Sequence, residues 1–158
     1  MIETVIKQAP VVRKMRLDDR VAVYGMVHAL AAHHDDTATL TLEQLSDLTG
    51  GSNPWITVLV ATLAESPVGF AALCPLVKLH FGQRGMDLHH LYVAQPHRGL
   101  GIGRALVDAA LAESARQGGH YMTVGTDPGN TDAQAAYTAM GFDTANPPGP
   151  RFKKVIGA

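Results

Sequence analysis

The rhythm of apolar and polar positions changes repeatedly along this chain. Residues 11–16, VVRKMR, read as a short strand. Asp18 then stands as an N-cap for a helix running to about His33, with Val21, Tyr24, Val27 or His28, and Ala31 at helical spacing. HDDTAT interrupts that spacing. TLEQLSDLTGG follows as a short helix, with Thr41 and Gln44 at capping-box separation and Gly50 as a left-handed stop.

From residue 55 the rhythm is that of strands. WITVLVATL is rich in β-branched residues, ESP makes a turn, and VGFAALCPLVKLHF is a second strand with a bend expected near Pro75. GQRG turns the chain into MDLHHLYV, so residues 55–93 form an antiparallel meander. A βα alternation comes next. AQPHRG leaves the strand, a helix spans about Leu100 to Gln117, and Gly118-Gly119 stops it. HYMTVGT is a strand and DPGN a turn, with Asn130 or Thr131 as the cap of the helix TDAQAAYTAM, which Gly141 ends. NPPGP breaks the chain before RFKKVIGA, a final strand or tail. The expected fold is α/β with a mixed α+β sheet, a meander followed by β-α-β-α-β with helices packed on the sheet.

Composition narrows the class without naming it. The 158 residues suit one domain, 1–158, with a core of useful size. A hydrophobic fraction of 46% against 17% charged excludes a disordered chain. Thirteen Lys and Arg against fourteen Asp and Glu leave a formal charge of −1, which argues against a nucleic-acid partner. Cys74 is the one cysteine, so no internal disulfide forms, in keeping with a cytoplasmic setting. The N-terminus lacks the apolar core of a signal peptide, and no apolar run reaches the ~18 residues of a membrane span. No membrane partner is expected.

The segment HRGLGIGRAL, residues 97–106, carries the chemistry. Gly99, Gly101 and Gly103 let a backbone approach an anion and adopt positive φ. The helix that follows presents unpaired N–H groups and a partial positive charge. Arg98 and Arg104 add donors suited to phosphate. The spacing is not the G-x-G-x-x-G of a dinucleotide fold, and no Gly-Lys-Ser/Thr ends it as in a Walker A loop. A ligand-free glycine turn is the bland alternative. Eight histidines invite a metal reading. His33-His34-Asp35-Asp36 and His89-His90 lack metal-ligand spacing, so no metal is expected.

Arg98-Gly99-Leu100-Gly101-Ile102-Gly103 resembles the Arg/Gln-x-x-Gly-x-Gly/Ala motif of the GCN5-related N-acetyltransferase (GNAT) superfamily. Asn130, Ala133, Tyr137, Gly141 and Phe142 are similar to that superfamily's N-x-x-A-x-x-x-Y-x-x-x-G-F segment. The resemblance covers nearly the whole chain and implies a GNAT fold with a splayed central strand. It implies an acetyl-CoA-dependent N-acetyltransferase acting by direct transfer in a ternary complex, with acetyl-CoA as co-substrate. The pyrophosphate would lie on Arg98, Gly99, Leu100, Gly101, Ile102, Gly103 and Arg104. Backbone groups of Leu91, Tyr92 and Val93 would hold the pantetheine arm. Asn130 would contact that arm or serve only as a cap, and Tyr137 would protonate the departing thiolate.

Within the superfamily, TLEQL, VGFAAL, LHHLYVAQPHRGLGIGRALV and GPRFKKV resemble the spermidine/spermine (diamine) acetyltransferases, which implies a homodimer and a small-molecule amine acceptor. Where those proteins often carry acidic residues on the cleft strand, this chain has His89 and His90. An imidazole, with pKa near 6.5, is a competent general base at neutral pH. Side chains alternate along a strand, so one of the two faces the cleft unless a bulge intervenes. Asp35, Asp36 and Asp87 are the carboxylates available for a cationic acceptor. The alternatives are a peptide, protein or aminoglycoside acceptor, or a non-catalytic acyl-CoA sensor.

Overall fold

The computed structural model describes residues 8–144 and 149–157. The chain divides into two compact units, Met1–Gly125 and Thr126–Ala158.

The first unit is a five-stranded sheet in the order β1-β2-β3-β4-β5, with helices on both faces. Strand β1 (Val11–Lys14) leads through a 3₁₀ turn, Leu17–Asp19, into α1 (Arg20–His33). Helix α2 spans Leu42–Thr49. Strands β2 (Thr57–Leu63), β3 (Ser66–Lys78) and β4 (Gln83–Val93) form the antiparallel meander. Helix α3 (Ile102–Arg116) crosses to β5 (Gly119–Val124), which pairs parallel to β4.

Residues directly opposed across a sheet share a face. Val58, Val60, Phe70 and Ala72 point to one side, where they bury Val23 and Met26 of α1 and Leu45 of α2. The other face meets α3. There Gly69 lies against Leu106, and any β-carbon would collide with the Tyr92 carbonyl. Leu59, Ala71, Leu73, Met86 and Leu88 alternate onto this second face and are buried, as are Ile102, Leu106, Val107 and Ala110 of α3. Truncating a side chain buried as fully as Phe70 costs about 3–5 kcal/mol.

Several local expectations are corrected. Asp18 does not cap α1. Asp19 does the structural work: it accepts the Arg16 backbone N–H at 2.7 Å and pairs with Arg13, which holds its carboxyl below the usual range. Val21 is exposed, and the buried stripe of α1 runs through Val23 and Met26. The Thr41–Gln44 capping box is present in both directions. Gly50 is extended instead of left-handed, and Gly51 takes the positive φ. A β-carbon on Gly50 would strike the Ser46 carbonyl, so close approach explains that glycine. The first hairpin turns at Ala64 and Glu65, both at positive φ. The irregularity of β3 falls at Ala72/Leu73, not at Pro75, which pairs normally with Met86. Gln83, Arg84 and Gly85 of the expected GQRG turn belong to β4.

The second unit contains α4 (Thr131–Ala139), capped by Asn130 and ended by Gly141 at φ 92°. Part of NPPGP lies outside the described residues. Residues 151–157 carry no strand, so the described alternation after the meander is α-β-α, and the closing strand is not formed there.

Candidate functional site

The site is built where β4 parts from β5. Parallel pairing runs from Arg84↔Gly119 to Leu88↔Val124. β4 then continues to Val93, bonded to β3 on its other side. The Ala94 N–H donates to the Val68 carbonyl at 2.8 Å, which sets the alternation of the antiparallel ladder. By that alternation the backbone groups of Leu91 and Val93 face away from β3, toward the side that β5 has left. This is the splayed strand that the motif implied.

A bulge sits at the same place. Ala72 pairs with His90 and Leu73 with Leu88, which leaves His89 as the extra residue. Ala72 belongs to the α1/α2 face, so its partner His90 does too. Asp87, opposite Cys74, faces the same side, and His89 two residues on shares it by alternation. The extra residue lets His90 join it, so the two rings meet edge to face with centroids 4.5 Å apart. Strict alternation would have separated them.

His89 is held from below. Its Nδ1 lies 3.1 Å from Oδ2 of Asp87, and Oδ1 of Asp87 accepts the Thr123 hydroxyl at 2.6 Å. A carboxylate only accepts, so Nδ1 of His89 carries the hydrogen, and Nε2 of the neutral ring bears the lone pair. Partial desolvation and the neighbouring His89 push the His90 pKa down, with His34 at the end of α1 adding to the effect. Cys74 pairs with Asp87 across the strands. Burial, and then Asp87, push its thiol up, so it stays protonated. Asp36 accepts the backbone N–H of Thr37 and, with Asp35, closes the end of α1. His28 is structural: its Nε2 meets the Leu40 carbonyl at 3.2 Å.

β4 feeds directly into the glycine loop. Gly99 and Gly101 have φ of 76° and 82°, a region costly to any residue with a β-carbon. A β-carbon on either would meet no protein atom within 4 Å. The left-handed backbone demands glycine at these positions, and the space above them is open. Gly103 is already helical, its missing β-carbon directed at Val93. The first intrahelical acceptor of α3 is Gly101, bonded by Ala105, so the N–H groups of Ile102, Gly103 and Arg104 are those a helix leaves for an anion. These features fit a pyrophosphate. The Ile102 side chain is buried in the core, so only its backbone can serve a ligand. Arg104 and Leu100 are exposed. Arg98 donates Nε–H to the Val93 carbonyl and stacks over Tyr92 at 5.7 Å, so part of its guanidinium ties loop to strand.

In the second unit, Asn130 Oδ1 accepts the Ala133 N–H at 3.1 Å, which makes it a helix cap. Tyr137 packs edge to face on Phe142 at 5.7 Å, and burial raises its phenol pKa. The residues that sequence reasoning did not place in the site are Thr123 and the orienting role of Asp87. Thr123 has no local signal, because its pairing depends on strand register, whereas Asp87 and His89 stand two residues apart on one strand, a spacing that puts both on one face.

Comparison with known proteins names the class. Residues 23–142 match the model of the acetyltransferase (GNAT) family, and the chain belongs to that family. It is 35% identical over 109 residues to N-acetyltransferase 8B of Rattus norvegicus, covering 69% of this chain and 46% of the relative. It is 31% identical over 146 residues to the mycothiol acetyltransferase of Streptomyces bingchenggensis, covering 90% of this chain and 46% of that one. The chain thus spans about half the length of these curated relatives. An aminoglycoside acetyltransferase from an uncultured soil metagenomic sample, solved with trehalose, shares the fold with a TM-score of 0.75 at 19% identity, over 94% of this chain and 97% of the other. Among the described residues, no helix is long and apolar enough to cross a membrane, and no cluster of three or more His, Cys, Asp or Glu is arranged to hold a metal ion.

Proposed function

We propose that this chain, residues 1–158, is an acetyl-CoA-dependent N-acetyltransferase whose acceptor is a small primary amine. The observation that carries this reading is the course of β4. It leaves β5 at Leu88, bulges to bring His89 and His90 to one face, and ends in the open glycine cradle at the head of α3. One strand therefore joins a base to an anion site.

The division of labour follows. Gly99, Gly101 and the N–H groups at the start of α3 hold the pyrophosphate of the co-substrate, with Arg98 and Arg104 adding charge. Backbone groups of Leu91 and Val93 hold the pantetheine arm and polarise the thioester oxygen, whereas those of Tyr92, expected to join them, are taken by Phe70 in the β3 ladder. An amine with a lysine-like pKa of about 10.4 arrives as an ammonium and has no lone pair. His89 Nε2 takes one proton, leaving a neutral amine that attacks the thioester carbon directly. The C–S bond breaks, and Tyr137, protonated at neutral pH, supplies the proton that the coenzyme A sulfur takes up. The nitrogen sheds two protons in all: one passes through His89 to solvent, and the second offsets the one Tyr137 gives.

The proposal keeps the cytoplasmic setting read from the single cysteine and the homodimer implied by the diamine-acetyltransferase likeness. The test is coenzyme A release from acetyl-CoA against polyamines, amino acids, aminoglycosides and N-terminal peptides. Release with a small amine supports the reading and names the acceptor. Release only with peptides moves the acceptor to the protein class. Tight acetyl-CoA binding with no release from any amine turns the reading toward an acyl-CoA sensor.

A further inference from the structure

The chain that ends on His89 begins on a neighbouring strand. Thr123 of β5 is the register partner of Asp87 on β4, in the last pairs before the strands part. Its hydroxyl donates to Asp87 Oδ1 at 2.6 Å, while Asp87 Oδ2 accepts from His89 Nδ1 at 3.1 Å. Asp87 and His89 stand two residues apart on β4 and share the face toward α1 by ordinary alternation, and the bulge brings His90 onto that face beside them. A bulged residue has lost its place in the ladder, and a half-exposed imidazole has many orientations. A carboxylate pinned at one oxygen removes that freedom.

We infer that Thr123 is a positioning residue: through Asp87 it fixes the ring orientation and tautomer of His89, so that Nε2 presents its lone pair to the acceptor amine. This rests on the acetyltransferase reading for its catalytic consequence, and on geometry alone for the tautomer. The proton balance is simple. His89 Nε2 gains the proton that the ammonium loses, the imidazolium then has N–H on both nitrogens, and Asp87 keeps accepting from Nδ1 without taking the proton. Thr123 changes no bond. Without its hydroxyl, Asp87 is free to rotate, and His89 samples the tautomer whose Nε2 carries hydrogen and accepts nothing.

A purely structural threonine on β5 would affect stability and leave the ring unchanged. The experiment separates the two using full-length protein. Thr123→Val keeps the shape and removes the donor, Thr123→Ser restores it, and Asp87→Asn removes the charge. Ring 15N shifts of His89 report the tautomer, and steady-state kinetics with acetyl-CoA and the best amine report the consequence. Expected are a His89 ring with hydrogen on Nδ1 in the wild type and Thr123→Ser, and a tautomer mixture in Thr123→Val. Alongside this, kcat falls about tenfold in Thr123→Val with KM for acetyl-CoA unchanged, and Thr123→Ser recovers it. An unchanged His89 tautomer in Thr123→Val overturns the inference, as does equal loss of kcat in the valine and serine variants. If wild type turns over no amine, the acetyltransferase reading fails separately, and the tautomer comparison still decides whether Thr123 positions His89.

Discussion

Arg98 donates its Nε–H to the Val93 carbonyl across 2.8 Å, and so binds the glycine loop to the end of the strand it leaves. The carbonyl lies on the side of β4 that β5 has vacated. One guanidinium edge is used within the protein, and the other nitrogens remain for an anion. Lysine lacks the planar arrangement that serves both at once. Arg98→Lys is expected to weaken acetyl-CoA binding about tenfold, and Arg98→Ala more. Calorimetric titration of both variants checks this, and an unchanged affinity in Arg98→Ala removes Arg98 from the cofactor site.

Gly101 separates backbone strain from ligand clash. At φ 82°, with open space around it, Gly101→Ala is expected to cost about 1–2 kcal/mol of stability. Gly101→Asp adds a negative charge where phosphate is proposed to sit and should abolish acetyl-CoA binding while the protein stays folded. Circular dichroism and calorimetry on the same samples check both. Binding that survives the aspartate contradicts the cradle.

Tyr137 is judged by the split between binding and turnover. Burial raises its phenol above the ordinary value of 10.0, so it stays a donor through the neutral and mildly alkaline range. Tyr137→Phe should keep acetyl-CoA affinity and lose kcat by about 10²-fold, the size of a general-acid contribution. In wild type, any fall in kcat from loss of this proton comes above pH 10.0. Equal kcat in the phenylalanine variant would leave the ring as packing on Phe142.

Glu113 carries an acid-range stability term. Arg116 first, then Gln117 and Lys14, donate to its carboxylate and lower its pKa from 4.5 to about 2. A lowered folded-state pKa stabilises the protein above about 4.5, and the contribution is lost as pH falls toward 2. Arg116 and Lys14 are largely exposed, so solvent screens part of the gain. Glu113→Gln should therefore destabilise at pH 7 by about 1 kcal/mol, with the difference shrinking below pH 4.5. Denaturant titrations at pH 7 and pH 3 test the sign.

The turn at Ala64 and Glu65 is a site for stabilisation. Both residues hold positive φ without being glycine or asparagine. Ala64→Asn with Glu65→Gly supplies the residues that such two-residue hairpins favour, and should raise stability by about 1 kcal/mol. A thermal melt that does not rise would mean the strain is relieved elsewhere.

What the sequence determined by itself was local or motif-borne. The Thr41–Gln44 capping box, the Gly118 and Gly141 helix ends and the Asn130 cap were legible because their partners lie within a few residues along the chain, and the meander because short turns join successive β-rich runs. The glycine loop was legible because positive φ and an uncovered helix start leave a pattern of residue types. What only the tertiary structure decided was which atoms face each other across elements. Asp19, not Asp18, accepts the Arg16 N–H and pairs with Arg13, which lies beside it on β1. His89 and His90 share a face because a register shift opposite Ala72/Leu73 inserts one residue into the ladder. Thr123 reaches Asp87 because β5 pairs parallel to β4 up to Leu88 and then leaves it. Register follows from how buried faces fit against α1 and α3, a sum over distant contacts that no short stretch of sequence contains.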